Sequence, residues 1–176
     1  NISGEKTIIS RSGFSNELGW EIYFRPENNI EKLGDLILEE GSKMGMIITA
    51  TPVFRCRRIE AGLLSAGQDF TNKTNPYSVG LGKFVDIDKE NFIGKEALQK
   101  ANKKCRTWGI RIDGGTAIRG KSLKINSKVV GEVTSSTWSP YQVCGVGIVH
   151  MHNSDLGPGT VLEVNCTNGK IHKGEL

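Results

Sequence analysis

Glu21 and Tyr23 stand two residues apart in the run Trp20-Glu21-Ile22-Tyr23-Phe24. On a strand, this spacing sends Trp20, Ile22 and Phe24 to one side and Glu21, Tyr23 and Arg25 to the other. The first side is predicted to be a core face. The second carries a carboxylate beside a phenol, turned either to water, as in an ordinary hairpin, or into a polar pocket. An ionised carboxylate in such a pocket accepts charge-assisted hydrogen bonds. Gly13 and Gly19 bracket the preceding turn, where the backbone needs positive φ or a close approach. A second group is Arg55, Arg57 and Arg58, with Arg58 near Arg55 at i+3 on a predicted helix. Either these form a solvated or ion-paired face, or one turns inward and grips a carboxylate bidentately. A third is His150-Met151-His152, which places two imidazoles on one side of a strand, with His172 as the available third. Zinc needs three or four ligands, and no further one is evidently recruited, so no metal is expected.

The elements that must position these groups follow from periodicity. Residues 5–10 read as a strand, and the turn after it leads into a second strand ending near Phe24. Asn28 or Asn29 offers an N-cap to a helix with Ile30, Leu33, Ile37 and Met44 at helical spacing. Glu31 and Lys43 suit its dipole, and Gly45 is the stop. Pro52 suits a first helical turn, and the arginine helix is predicted over Val53–Leu64, with Cys56, Ile59 and Leu63 as its apolar stripe. Residues 65–82 are rich in Gly, Asn, Thr and Pro and read as loop. Residues 83–87 read as a strand, and a short helix follows from Asn91 to near Asn102. Beyond 104 the helical spacing vanishes. Strands are predicted near 106–112, 122–125, 128–137, 143–150, 160–166 and 170–174, with turns at Asn126-Ser127 and Gly157-Pro158-Gly159. The fold class is therefore α+β, with a small antiparallel barrel or sandwich at its C-terminal side.

Bulk properties narrow the function. The chain has 176 residues, 37% apolar and 24% charged, which suits a globular protein. No stretch of 18 apolar residues suggests a membrane span. The first residue is Asn1, and no signal-like segment follows, so the chain reads as cut from something longer. Cys56, Cys105, Cys144 and Cys166 are widely and irregularly spaced, which favours reduced thiols and a cytoplasmic setting over a disulfide framework. Residues 1–102 carry 13 basic and 14 acidic side chains, and residues 103–176 carry 10 and 5. The basic excess attracts anions modestly, but no Lys/Arg run with interleaved aromatics points to nucleic acid. No nucleophile elbow, phosphate loop or dinucleotide fingerprint is present.

Arg11-Ser12-Gly13-Phe14-Ser15-Asn16-Glu17-Leu18-Gly19-Trp20-Glu21-Ile22 resembles the signature R-S/T-G-Y/F-T-G-E-x-G-F/W/Y-E-I/V of the folate-binding aminomethyltransferase family. That family includes the glycine-cleavage T-protein, the sulfoniopropionate demethylases and the folate domains of sarcosine and dimethylglycine dehydrogenases. Ser15 and Asn16 depart from the usual Thr and Gly. Further blocks follow in the family's order. Arg58-Ile59-Glu60-Ala61-Gly62-Leu63 matches R-x-E-x-G-L, and Gly67-Gln68-Asp69 with Asn75-Pro76-Tyr77 matches the next block, where Ser78 replaces a usual Glu. Asn91-Phe92-Ile93-Gly94-Lys95-Glu96-Ala97-Leu98 matches D-F-I-G-R/K-E-A-L. Val130-Gly131-Glu132-Val133-Thr134-Ser135 and Gly157-Pro158-Gly159-Thr160 match the C-terminal blocks. The helix and Asn75-Pro76-Tyr77 look slightly more like the demethylase branch. In the glycine-cleavage register, the folate-contacting Arg falls on Phe54, one residue before Arg55.

The resemblance implies a part of a folate-binding α+β domain over 1–103, incomplete at its N-terminal side, followed by a C-terminal antiparallel β-barrel over 104–176. It implies tetrahydrofolate as cofactor, a small-molecule one-carbon donor as partner, and neither nucleic acid nor membrane. Glu21 would take the paired N–H groups of a pterin's pyrimidinone edge, Trp20 or Tyr23 would stack, and Arg55, Arg57 or Arg58 would meet the glutamyl carboxylates. The family's catalytic Asp lies upstream of the residues present, so no catalytic residue is expected here and the fragment is expected to be inactive alone. The alternatives are a folate-binding module without catalysis, the folate domain of a dehydrogenase-like protein, and an interaction fragment. A surface left exposed by truncation would favour a dimer.

Overall fold

The computed structural model describes residues 1–176, which divide into two compact units, residues 1–57 and 58–176. In the first unit, β1 (Ile8–Ser10) pairs antiparallel with β2 (Glu21–Tyr23), and Ser10 lies opposite Glu21. Helix α1 (Ile30–Lys43) is capped at both ends by its own sequence. Asn29 Oδ1 accepts the Lys32 amide at 3.0 Å, and the Glu5 carboxylate accepts the Asn29 amide at 3.0 Å. At the other end Gly45 takes φ +81°, its amide reaches Ser42 and the Met46 amide reaches Gly41, which closes the last turn. Of the two N-cap candidates, Asn28 and Asn29, the helix uses Asn29, and Gly45 is the expected stop.

Helix α2 runs over Thr51–Glu60. It starts two residues before the predicted Val53, with Pro52 in its first turn, and stops four residues before the predicted Leu64. The reason is Gly62, which adopts φ +71° while the Gly62 and Leu63 amides bond back to Ile59 and Arg58. Leu63 therefore leaves the expected stripe.

Residues 65–81 are loop, as expected, and residues 61–64, predicted as helix, join them. Residues 83–87 are not a strand: Gly82–Phe84 form one 3-10 turn, and the Asp86 carboxylate accepts the amides of Asp88 and Lys89. The β-forming residues there find no partner strand, so local turn chemistry wins. Helix α3 is short, Lys95–Lys100, and begins after Gly94 at φ +90°.

Six antiparallel strands then close a barrel. They are β3 (Thr107–Ile112), β4 (Ser122–Ile125), β5 (Lys128–Ser139), β6 (Cys144–Met151), β7 (Val161–Asn165) and β8 (Ile171–Glu175). The order around the barrel is β3-β6-β5-β4-β7-β8, with β8 returning to β3. Each predicted strand is present within two residues at either end. Asn126 and Ser127 both take positive φ, as a two-residue hairpin turn requires. Ile110, Ile112, Leu123, Val133, Val149, Met151, Leu162 and Val164 fill the interior.

Strand β6 is buried on both faces, and Cys144, Val146 and Ile148 on its outer side pack with Ile59 and Leu64. A bulge in β5 between Val133 and Ser135 leaves Thr134 as the extra residue. Such a bulge re-aims side chains, here the Thr134 and Ser135 hydroxyls.

Candidate functional site

Glu21 and Tyr23 project from the same face of β2, as alternation predicts. The Tyr23 hydroxyl donates to Glu21 Oε2 at 2.9 Å. The Ser12 hydroxyl donates to the same oxygen. These two bonds occupy Oε2, and Oε1 has no hydrogen-bond partner. Both donors stabilise the ionised carboxylate, so Glu21 is held below the usual glutamate range, first by Ser12 and then by Tyr23. Reciprocally, the Glu21 hydrogen bond and charge push the Tyr23 phenol up. The arrangement is a fixed, charged acceptor edge, open on one oxygen. Ser10 and Ser12 also touch, at 2.9 Å. Neither serine was singled out by alternation within 20–25. The signal lay in strand pairing, because the first strand places Ser10 directly across from Glu21.

Trp20 sits on the other face and is 65% exposed. This corrects the expected core face: Ile22 and Phe24 are half-buried, and Trp20 is not buried at all. A two-stranded ribbon of three-residue strands has too little surface to cover a whole face. The Arg11 guanidinium instead lies 5.1 Å from the Trp20 ring centroid, and Arg11 Nη1 donates to the Gly19 carbonyl at 3.1 Å. Arg11 thus ties the turn to the start of β2.

The three arginines have three different surroundings. Arg55 is exposed on α2. Arg57 pairs with Glu17 of the signature turn. Arg58 is only 4% exposed, with Nη1 on Asp69 Oδ2 at 2.9 Å and on the Leu63 carbonyl at 3.0 Å. Its Nη2 reaches Ser135 Oγ at 2.9 Å and Gln68 Oε1 at 3.3 Å. Asp69 is held in turn by the Ser65 amide at 2.9 Å and by the Thr134 hydroxyl at 2.6 Å. Glu60 accepts from Ser139. The residues of the Arg58–Leu63 and Gly67–Asp69 blocks therefore lock the end of α2 and its loop to β5. Arg58 has no open edge left for a ligand's carboxylate. The inward-turned arginine foreseen among the three is this one, and the carboxylate it grips is the protein's own Asp69.

His150 is half-buried, with Nδ1 3.1 Å from Thr107 Oγ1, and burial together with Arg106 holds its imidazolium below the usual range. His172 meets Asn168 at 3.0 Å. No three His, Cys, Asp or Glu side chains converge as metal ligands. An open cleft of about 490 Å³ lies beside the barrel, lined by Ile59, Glu60, Arg111, Gln142 and Glu175 among others. No helix is long and apolar enough to cross a membrane.

Comparison with known proteins bears on this geometry. The aminomethyltransferase of Halothermothrix orenii is 32% identical over 97% of this chain and 48% of its own length. That of Lysinibacillus sphaericus is 37% identical over 97% and 47%. The trimethylamine-oxide aldolase of Ruegeria pomeroyi is 31% identical over 94% of this chain but 22% of its own length. The chain thus spans about half the length, or less, of these curated relatives. Among solved structures, the glycine cleavage system aminomethyltransferase T from Bartonella henselae superposes with a TM-score of 0.76 at 24% identity, covering 96% of this chain and 47% of that one. It shares the fold. A family model described as the GCVT N-terminal domain matches residues 1–89, which include the Glu21 edge and the whole of α2. Half of the 176 residues fall under that match, and the chain belongs to the GCVT N-terminal domain family.

Proposed function

We propose that this chain supplies the pterin-recognition edge of a tetrahydrofolate-dependent methyl- or aminomethyl-transferase. The observation that carries the reading is Glu21, ionised, anchored through Oε2 by Ser12 and Tyr23, and open at Oε1. The pyrimidinone edge of a reduced pterin offers an N–H and an amino group side by side, and an ionised carboxylate is their natural acceptor. Tetrahydrofolate, when bound, supplies the nitrogen that receives the one-carbon unit. The residues of this chain bind and orient; none of those gathered at Glu21 is assigned a bond-making role.

Tyr23 shares the face of Glu21 and would line a docked ring. Trp20 projects from the opposite face and would contribute less. Among the arginines, Arg55 is the candidate for a glutamyl carboxylate that the other contacts leave, since it is exposed while Arg57 is paired with Glu17 and Arg58 is buried on Asp69. The test is a fluorescence titration with tetrahydrofolate. Saturable binding that is lost in Glu21→Ala supports the site, and binding unchanged by that substitution rejects it.

A second reading is a folate module within a larger protein, of the dehydrogenase-like kind or without catalysis of its own. It is favoured by the Ruegeria aldolase, in which a region matching almost all of this chain forms under a quarter of the protein. The donor class separates the two: folate-dependent turnover of a methylated or aminomethylated donor by the whole polypeptide supports the transferase. Folate binding with no such turnover supports the module. The exposed side chains Leu18, Met44, Ile47 and Ile48 support self-association of this chain, and a strictly monomeric sedimentation profile at high concentration would reject it.

A further inference from the structure

The two hydroxyls on Glu21 are not equivalent. Ser12 has one hydroxyl proton, which it gives to Glu21, so in its 2.9 Å contact with Ser10 it is the acceptor. The result is a chain, Ser10 to Ser12 to Glu21, in which each bond strengthens the next. Ser10 belongs to β1 and lies directly across the ladder from Glu21, so this chain is tied to the strand pairing itself. Tyr23, in contrast, is half exposed; its hydroxyl donates to Glu21 and lies within reach of the Ser12 hydroxyl, but it makes no hydrogen bond to β1.

A carboxylate oxygen has about two acceptor positions. On Oε2 both are filled, whereas a two-donor edge needs one acceptor position on each oxygen. Oε1 offers one without rearrangement, and Oε2 offers one only if a resident hydroxyl leaves.

Resting on the folate reading above, we propose that Ser12 is the fixed positioning residue of Glu21 and that Tyr23 is an exchangeable placeholder, whose hydroxyl gives up Oε2 to the second N–H of a two-donor ligand. Tyr23 then acts as a specificity element. A ligand with a single N–H binds at Oε1 and never disturbs it. A ligand with adjacent N–H and NH₂ groups displaces it and recovers a charge-assisted bond in exchange.

The experiment compares dissociation constants of wild type, Tyr23→Phe, Ser12→Ala and Glu21→Gln for tetrahydrofolate and for an analogue lacking the 2-amino group, with circular dichroism to verify the fold. Removing the placeholder is expected to tighten tetrahydrofolate binding about threefold to tenfold, the size of one modest hydrogen bond, and to leave the analogue unchanged. Ser12→Ala is expected to weaken both ligands about tenfold and to move the acid loss of binding to higher pH, while Ser12→Thr restores both. If Tyr23→Phe weakens tetrahydrofolate, or affects both ligands equally, Tyr23 is a fixed prop and the inference is overturned while the folate site stands. If Glu21→Gln binds as wild type does, or the folded wild type binds neither ligand, the folate reading and this inference fail together.

Discussion

Within residues 1–57 only Leu33 is buried, whereas each of the six barrel strands contributes at least one buried residue to its own unit. The first unit holds its helix by caps and its ribbon by three paired positions. The second closes a hydrogen-bonded ring around an apolar interior and pins the end of α2 to it through a buried ion pair. The groups proposed to recognise a ligand, Glu21, Tyr23 and Arg55, lie on the sparsely buried unit. The family motifs around Arg58 and Asp69 lie on the closed one. The contrast suggests a division of labour: motif residues of one family split into those that present an edge and those that hold the frame. Substitutions should fall into two groups accordingly, with large stability effects in the frame and large binding effects at the edge.

The strongest break should come at Asp69→Ala. It strands the Arg58 guanidinium in a buried site, and loss of one partner of such a pair costs about 3–5 kcal/mol. Denaturant unfolding followed at Trp108 and Trp138 should show a midpoint shifted by that amount; a loss below about 1 kcal/mol would mean the pair is not the lock described.

Next in size is Gly145→Ala. An added Cβ would meet the Gly115 carbonyl oxygen inside contact distance, so the strand must shift, at about 1–3 kcal/mol. The same unfolding experiment reads it. On the first unit, Gly45→Ala places a side chain at φ +81° and should cost about 1 kcal/mol, seen as fraying of α1 in amide exchange with the barrel amides unchanged. Equal loosening of both units would argue against their separate construction.

A pH prediction sharpens the frame further. His150 has a folded pKa depressed first by burial and then by Arg106, with Glu132 opposing and His152 adding to the depression. A depressed pKa means the unfolded chain binds the proton more readily. The stabilisation is present above the ordinary imidazole range and is lost as pH falls through the lower folded value. His150→Gln should flatten that part of the stability profile; an unchanged slope would remove His150 from the account.

How far the sequence disclosed this division depends on range. The barrel strands were legible because one face of each is buried by its own ring, so alternation and glycine turns carry the information locally. Asn29 and Gly45 were legible because a cap needs only its own helix. The end of α2 was missed because Gly62 stops the helix while Leu63 and Leu64 still look like its stripe. Residues 83–87 were missed because β-forming residues become a strand only beside a partner. Arg58 could not be told from Arg55 and Arg57 by spacing, since its burial depends on Asp69 and on a bulge 77 residues away at Ser135. At the site, alternation gave the face of Glu21, but Ser12 and Ser10 required the register of β1 on β2. Trp20 shows the opposite limit, an aromatic at an apolar position that its two-stranded ribbon cannot bury.

The smallest expected effect on stability is at Glu21, where a substitution on a half-buried position of the two-stranded ribbon should stay within about 0.5 kcal/mol, yet the binding effect there should be the largest. The most direct measurement is therefore an amide chemical-shift titration of the isotope-labelled chain with tetrahydrofolate. Shifts clustered at Ser10, Ser12 and residues 19–25, abolished in Glu21→Ala while the barrel spectrum is unchanged, are the predicted result. Saturable shifts confined to β3–β8, with the Glu21 strand unmoved, would contradict the account.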